Sequence, residues 1–309
     1  MTAPFFVRLF SKIAALAVLI LATVSCRPGL VSTQSAAVDR GDQWVARCKP
    51  NDAWDTPGPP YRVFGNTYYV GTCGIAAILI VGDQGHILID GGTERGGELI
   101  AENIATLGFD IRDVGILLHS HEHYDHVGGL AGLQASSGAK MIASVAAAPV
   151  LRSGQVAVED PQWGMHEPFP AVSVSATITH GEQVSLGDLS LQASETPGHS
   201  PGALSWAWTS CEQDRCKAMV YLDSLSPVSR EGYRFADHPN YLANYRGGLA
   251  SVRTIECDFV LTPHPVASGM HQRLSRPQGL EGKSGCRSYV DRIQQRLGKR
   301  LVSEEKSSP

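Results

Sequence analysis

The sequence predicts an α/β (α+β) chain in which two sheets pack together with helices outside, and three observations carry that reading. Short strand-like runs recur along most of the chain, separated by turns that bear glycine. Stretches with apolar residues at helical spacing are interspersed among them. The pattern falls into two roughly similar halves, and two sheets that bury one face on each other need helices over the other.

In order along the chain, strands are expected at Tyr61 to Phe64, Tyr68 to Val70, Ala76 to Val81 and His86 to Asp90. Gly97 to Leu107 reads as a helix, because Leu99, Ile100, Ile104 and Leu107 share one face. A strand follows at Val114 to Leu118, then a short helix at Gly129 to Gly138, a strand at Lys140 to Ser144 and a helix at Val145 to Arg152. Ser153 to Pro170 carries Pro161, Gly164 and Pro168 and reads as irregular. Strand patterns return at Val172 to Ile178, Gln183 to Leu186, Leu189 to Ala193, Ala203 to Trp208, Ala218 to Leu222 and Phe259 to Thr262. Tyr289 to Leu301 closes the pattern as a helix with Val290, Ile293 and Leu297 on one face.

Residues outside this pattern set the boundaries. Arg8 and Lys12 precede an apolar run from Ile13 to Val24, followed by Ser25 and Cys26, so residues 1–26 read as an export signal. The run is shorter than the roughly 20 apolar residues that span a bilayer. Cys26 lies where a lipoprotein signal places its acylated cysteine, although Thr23 departs from the aliphatic residue expected there; a lipid anchor at Cys26 stays open beside ordinary cleavage. Residues 27–40 form a polar leader, 41–303 a single domain, and 304–309 a tail expected to be disordered. The destination is the periplasm or the exterior.

A chain of 309 residues, 43% hydrophobic and 18% charged, has ample material for a core. Its net charge of -4 and the lack of a Lys/Arg cluster along the sequence argue against nucleic acid as a partner. Apart from Cys26, the 7 cysteines leave an even set, which suits an oxidising compartment. Cys211 and Cys216 are near enough to close a small loop, and the simplest scheme joins the remaining neighbours, Cys48 with Cys73 and Cys257 with Cys286. With no C-x-x-C pair, a structural zinc site on these cysteines is disfavoured.

The chemistry is concentrated in His121-Glu122-His123-Tyr124-Asp125-His126. In extended backbone His121 and His123 point to the same side, so one ion can take both. Asp125 and His126 need not face that ion and suit a second one about 3.5 to 4 Å away. His199 and His264 each follow a strand pattern, so loops from one rim of a sheet can bring them to the cluster. A lone histidine is more often an ordinary polar residue, but four candidate ligands within six residues need partners from elsewhere. Imidazole and carboxylate without thiolate favour zinc in an open, catalytic site that makes hydroxide at neutral pH. His119 reads as a strand-end or supporting residue, and His86, His166, His180, His238 and His271 as ordinary polar residues.

These residues resemble the metallo-β-lactamase superfamily, whose fold is a four-layer αβ/βα sandwich: His121-x-His123-x-Asp125-His126, a later Gly198-His199, a final His264, and Asp90-Gly91-Gly92 as the acidic strand end that supports the site. Ser120 to Gly129, Thr196 to Gly202, Leu261 to Pro265 and Asp223-Ser224-Leu225-Ser226 are most similar to the third subclass (B3). The resemblance implies two zinc ions, one held by His121, His123 and His199, the other by Asp125, His126 and His264, with Asp125 also orienting the nucleophile. It implies a monomer acting on a small-molecule β-lactam whose carboxylate meets Ser224 and Ser226, with Arg230 near enough in sequence to assist. Trp163, Met165 and Phe169 either flank the cleft or fill the core. The alternative is a glyoxalase-II-like thioesterase or lactonase on the same fold, in which Asp223 would bridge the metals.

Overall fold

The computed structural model describes Met1 and residues 41–306; the export signal, the lipid-anchor cysteine and the polar leader lie outside the described residues. Among the described residues, one sheet holds seven strands in sequence order: β1 (Tyr61–Phe64), β2 (Thr67–Tyr69), β3 (Ile78–Gly82), β4 (Gly85–Ile89), β5 (Val114–Leu118), β6 (Lys140–Ser144) and β7 (Val174–Ile178). The first four pair antiparallel in sequence order, and β4 to β7 pair parallel, which requires crossovers. Those crossovers carry α2 (Glu94–Thr106), α3 (Tyr124–Val127), α4 (Leu130–Ser137) and α5 (Ala147–Ser153), after a short α1 (Asp42–Arg47). The second sheet has the order β12-β11-β10-β9-β8 and comprises β8 (Gln183–Leu186), β9 (Leu189–Glu195), β10 (Leu204–Glu212), β11 (Arg215–Tyr221) and β12 (Phe259–Leu261). Helices α6 (Pro239–Val252), α7 (Met270–Leu274) and α8 (Gly285–Lys306) complete the domain.

Period-two alternation divides the apolar side chains into layers. Ile78, Ile80, Ile87, Ile89, Ile116 and Leu118 meet Leu191, Leu204, Trp206, Trp208, Met219 and Tyr221 between the sheets. Their alternates Leu79, Leu88 and Leu117 pack under Ile100 and Ile104 of α2, Leu130 and Leu133 of α4, and Val150 and Leu151 of α5. On the far side Val220 and Val260 lie under Tyr245, Leu249 and Val252 of α6 and Val290, Ile293 and Leu297 of α8. Helix, sheet, sheet, helix is the expected sandwich.

Three expectations are corrected. Helix α6 is absent from the sequence reading, although Tyr245, Gly248, Leu249 and Val252 form its buried face at helical spacing. Strand β10 runs on to Glu212 and β11 starts at Arg215, because a tight turn joins them. The tail is ordered to Lys306: α8 continues through Glu304, whose carboxylate is buried and accepts Phe235 N (3.1 Å), Ala236 N (3.0 Å) and Arg300 Nε (2.6 Å). Residues 307–309 lie outside the described residues. No helix among the described residues is long and apolar enough to cross a membrane.

The three expected disulfides are present: Cys48–Cys73, Cys211–Cys216 and Cys257–Cys286. The last joins the segment before β12, the strand that leads to His264, to the first turn of α8. Replacing both cysteines by alanine is expected to lower stability by about 2–5 kcal/mol while kcat stays near wild type. Chemical denaturation beside steady-state kinetics reads both, and an unchanged denaturation midpoint would refute the bracing role.

Candidate metal centre

The candidate ligands lie on segments that follow strand ends, two of them, Asp125 and His126, in the short helix α3. Strand β4 stops at Asp90, which adopts φ 67, a left-handed conformation that aspartate tolerates better than most residues. Its buried carboxylate accepts Ser120 N (2.6 Å), Ser120 Oγ (2.8 Å) and the Tyr221 hydroxyl (2.8 Å). It thereby fixes the loop after β5, and that loop presents His121, His123, Asp125 and His126, all buried. His199 follows β9 through Gly198, at φ 152; a Cβ there would meet the Tyr245 ring at 2.2 Å, so only glycine lets this loop pass α6. His264 follows β12 and is about a quarter exposed.

The structure brings the predicted ligands together in two sets. Donor atoms of His121, His123 and His199 all lie within 4.8 Å of one another. In the second set Asp125 Oδ2 is 3.1 Å from His126 Nε2 and 3.3 Å from His264 Nε2, and the two imidazole nitrogens are 3.3 Å apart. His121 also falls within 4.8 Å of Asp125 and His126, so the sets adjoin.

Three of the imidazoles, His121, His123 and His199, have a second nitrogen held by a group that fixes the ring, as metal ligands commonly do. His121 Nδ1 donates to Asp223 Oδ1 at 2.7 Å, His123 Nε2 to Asp160 Oδ2 at 3.0 Å, and His199 Nδ1 contacts Ser226 O and Oγ, each at 3.0 Å. His126 Nδ1 faces Asp90 Oδ2 at 3.4 Å. Buried and without a hydrogen-bond partner among the described residues are Nε2 of His121, Nδ1 of His123 and Oδ1 of Asp125, and also Nδ1 of His126. Buried polar atoms without partners are costly. Lone pairs left over on two imidazoles and a carboxylate fit a divalent cation of the zinc class.

Electrostatics set the ligand rings apart. Burial, reinforced by the neighbouring imidazoles, pushes His121 and His199 well below the ordinary histidine range and keeps their lone pairs free. Burial opposes a charged His126 as well, yet Asp125 and Asp90 outweigh it and lift that ring to about 10. Burial raises Asp223 to about 7 against the backbone donors of Leu225 and Ser224.

Asp223 is where the alternative reading meets the geometry. Its Oδ1 faces His121 Nδ1 and its Oδ2 accepts Leu225 N at 3.0 Å, so both oxygens are occupied behind the ligands. The Leu225 backbone sits at φ 51, held by that bond and by the Tyr245 hydroxyl on its carbonyl. This pinned turn sets Ser224, buried with an unpartnered Oγ, at the wall of a cleft of about 330 Å³ that also touches His123, Asp125, His199 and His264. Ser226 lines the same cleft while its hydroxyl holds His199.

Arg230 lies elsewhere: its guanidinium donates to the carbonyl of Asp160 (2.8 Å) and covers Trp163 and Tyr233, bracing the irregular stretch instead of facing the cleft. Phe169 is core, whereas Trp163 and Met165 are exposed. His119 accepts Ser144 N at 3.2 Å and serves the strand end.

Several residues of the site escaped the sequence reading. Asp160 and Gln162, from the irregular stretch, contact His123 and His199. His166 stacks on His123 with ring centroids 4.5 Å apart and lines the cleft. Glu122 is buried and accepts Ser200 Oγ (2.6 Å) and Gly202 N (2.7 Å), tying the first ligand loop to the loop of His199. Arg296, on α8, lines the cleft, and its side chain makes no hydrogen bond or ion pair among the described residues.

Comparison with known proteins agrees with this geometry. The model of the metallo-beta-lactamase superfamily matches residues 70–211. The solved structure of the MIM-2 metallo-beta-lactamase is 57% identical with a TM-score of 0.83, covering 86% of this chain and 99% of that one. MEM-A1, a subclass B3 metallo-beta-lactamase isolated from a soil metagenome library, is 40% identical with a TM-score of 0.80, covering 83% of this chain and 100% of that one. A hydroxyacylglutathione hydrolase of Bradyrhizobium sp. (strain ORS 278) is 28% identical over 130 residues, 42% of this chain and 40% of its own length. The chain spans two fifths or less of the curated relatives it matches, against nearly all of the solved structures above. The chain therefore belongs to the metallo-β-lactamase superfamily and, within it, is most like the B3 subclass.

Proposed function

We propose that this protein is a zinc-dependent β-lactamase that opens the amide ring of penicillins, cephalosporins and carbapenems and so confers antibiotic resistance. One observation carries the reading: two sets of three ligands meet beside a cleft whose wall includes the unpartnered Ser224 hydroxyl. His121, His123 and His199 would hold one zinc ion and Asp125, His126 and His264 the other. When bound, the ions supply hydroxide at neutral pH and stabilise charge on the carbonyl oxygen and the departing nitrogen.

The chain's own residues do the rest. Asp125 Oδ1, which has no partner among the described residues, accepts a hydrogen bond from the attacking water and orients it. Asp223, Asp160 and Ser226 hold the ligand rings so that the site is preorganised. Ser224 donates to the substrate's carboxylate, and Arg296 supplies the positive charge that Arg230 does not. Because Arg296 is exposed, Arg296→Ala is expected to raise KM about fivefold with kcat little changed, and Arg296→Lys to recover part of the loss. Equal KM values for Arg296→Ala and wild type with an anionic cephalosporin would remove Arg296 from the binding site.

The same reading takes the chain to the periplasm or the exterior, supported by the polar and apolar order of residues 8–26 and by three disulfides, and takes it to act as a monomer. Mass spectrometry of the mature N-terminus decides whether Cys26 carries lipid. The decisive assay offers the purified protein a cephalosporin, a carbapenem and a glutathione thioester, each with chelator and with added zinc. Chelator-sensitive opening of the lactams supports the proposal; chelator-sensitive turnover of the thioester alone would replace it with the thioesterase reading.

A further inference from the structure

A second cavity, of about 290 Å³, lies beside the start of α8 and is lined by Arg273, Arg276 and Arg292. Ser268 lines it too, next in the chain to Ala267 of the metal cleft. The sequence shows no basic cluster here, because the three arginines come from α7, the turn after it and the second turn of α8. The fold assembles one.

None of the three has a carboxylate partner among the described residues. Arg273 is largely buried and donates only to neutral carbonyls, Val260 O (2.9 Å) and Leu280 O (2.6 Å). Arg292 reaches Ser288 O (3.2 Å) and Ala267 O (3.4 Å) and covers the Tyr289 ring. The side chain of Arg276 makes no hydrogen bond or ion pair among the described residues. The one carboxylate in the lining, Glu281, is taken by Lys217 Nζ at 2.5 Å. Burial pushes Arg273 down to about 10, and Arg276 and Arg292 add to that while Tyr61 opposes it. Carbonyls solvate a guanidinium without neutralising it, so three like charges around one cavity repel each other until an anion enters.

We propose that this cavity is a binding site for a small oxyanion of the phosphate class, separate from the metal cleft. Guanidinium forks match the oxygen spacing of such an ion and bind it through paired charge-assisted hydrogen bonds. The first turn of α8 adds partial positive charge from the helix end, a supplement to the arginines. The Gly279, Gly282 and Gly285 segment leaves backbone close to the cavity without side chains in the way.

Isothermal titration of inorganic phosphate into the zinc-loaded protein, at low ionic strength in a buffer without oxyanions, is expected to give a Kd in the millimolar range or tighter. Arg276→Ala, an exposed position, should weaken binding about tenfold, the scale of one charge-assisted hydrogen bond, and leave β-lactam turnover and melting temperature unchanged. Arg292→Ala should weaken it further. Absence of heat at millimolar phosphate, or equal affinity in wild type and Arg276→Ala, would overturn the proposal, the second outcome because it places the ion at the metals. Co-sedimentation with vesicles containing phosphatidylglycerol, compared with wholly neutral vesicles, names the source. Capture that depends on Arg276 supports the site through a lipid headgroup, and binding of free phosphate without capture supports it through a soluble ion.

Discussion

His121→Ala is expected to lower kcat/KM for a cephalosporin by about a thousandfold or more and to reduce bound zinc below that of wild type. His121 belongs to the first ligand set and also lies within 4.8 Å of Asp125 and His126 of the second, and its Nε2 is buried with no partner among the described residues. Its removal opens one position at the first ion and disturbs its neighbours, with ring centroids of 4.1 Å to His126 and 4.6 Å to His199. A metal ion contributes several kcal/mol of transition-state stabilisation, and each 1.36 kcal/mol is tenfold, so losing roughly 4 kcal/mol gives the stated factor. The fold should survive, because the two sheets pack through residues that do not include His121. Far-UV dichroism controls for that, metal per chain is read by atomic emission, and wild-type turnover with a full complement of metal would refute the assignment. The same variant speaks to the oxyanion cavity: its phosphate binding should persist, since no residue of that cavity is a metal ligand.

How much of this was legible follows from how local each signal is. His121, His123, Asp125 and His126 announce themselves because four donors share one loop, and the period of two in extended backbone is readable without any tertiary contact. His199 and His264 are legible only through that company. Their supports are not, because Asp160 lies 37 residues from His123, and Ser200 lies 78 residues from Glu122. Asp160 falls in a stretch read as irregular, where nothing periodic marks one carboxylate above another. Helix α6 did carry a signal, at Tyr245, Gly248, Leu249 and Val252, but Gly247-Gly248 weakens helix propensity where the spacing asks for it. Gly248 is there for packing: a Cβ would come within 3.1 Å of Thr196, the strand end that leads to His199. Arg230 and Arg296 show the limit most plainly. Proximity to Ser226 in sequence favoured Arg230, yet the turn after Ser226 carries it to the Asp160 carbonyl, while α8 returns Arg296 to the cleft from 70 residues away.

Asp223→Ala is expected to weaken zinc binding about 10- to 100-fold, the usual scale for removing a carboxylate that orients a ligand ring. The carboxylate is fully buried, and without it His121 Nδ1 loses its acceptor while Leu225 N loses the bond that holds it at φ 51. Both losses act on the site, the first through the metal and the second through the turn that carries Ser224. KM should therefore rise along with the fall in metal affinity. Asn at this position separates the two: its amide oxygen can still accept from His121, but its amide nitrogen would then oppose Leu225 N, donor against donor. Asp223→Asn should accordingly recover most of the zinc affinity and little of the KM. A bridging aspartate predicts something different, because removing a shared ligand strips a whole equivalent of metal whichever residue replaces it. Equilibrium dialysis of both variants against zinc distinguishes the cases, and loss of a full equivalent in the Asn variant would return Asp223 to the metals and the thioesterase reading to first place.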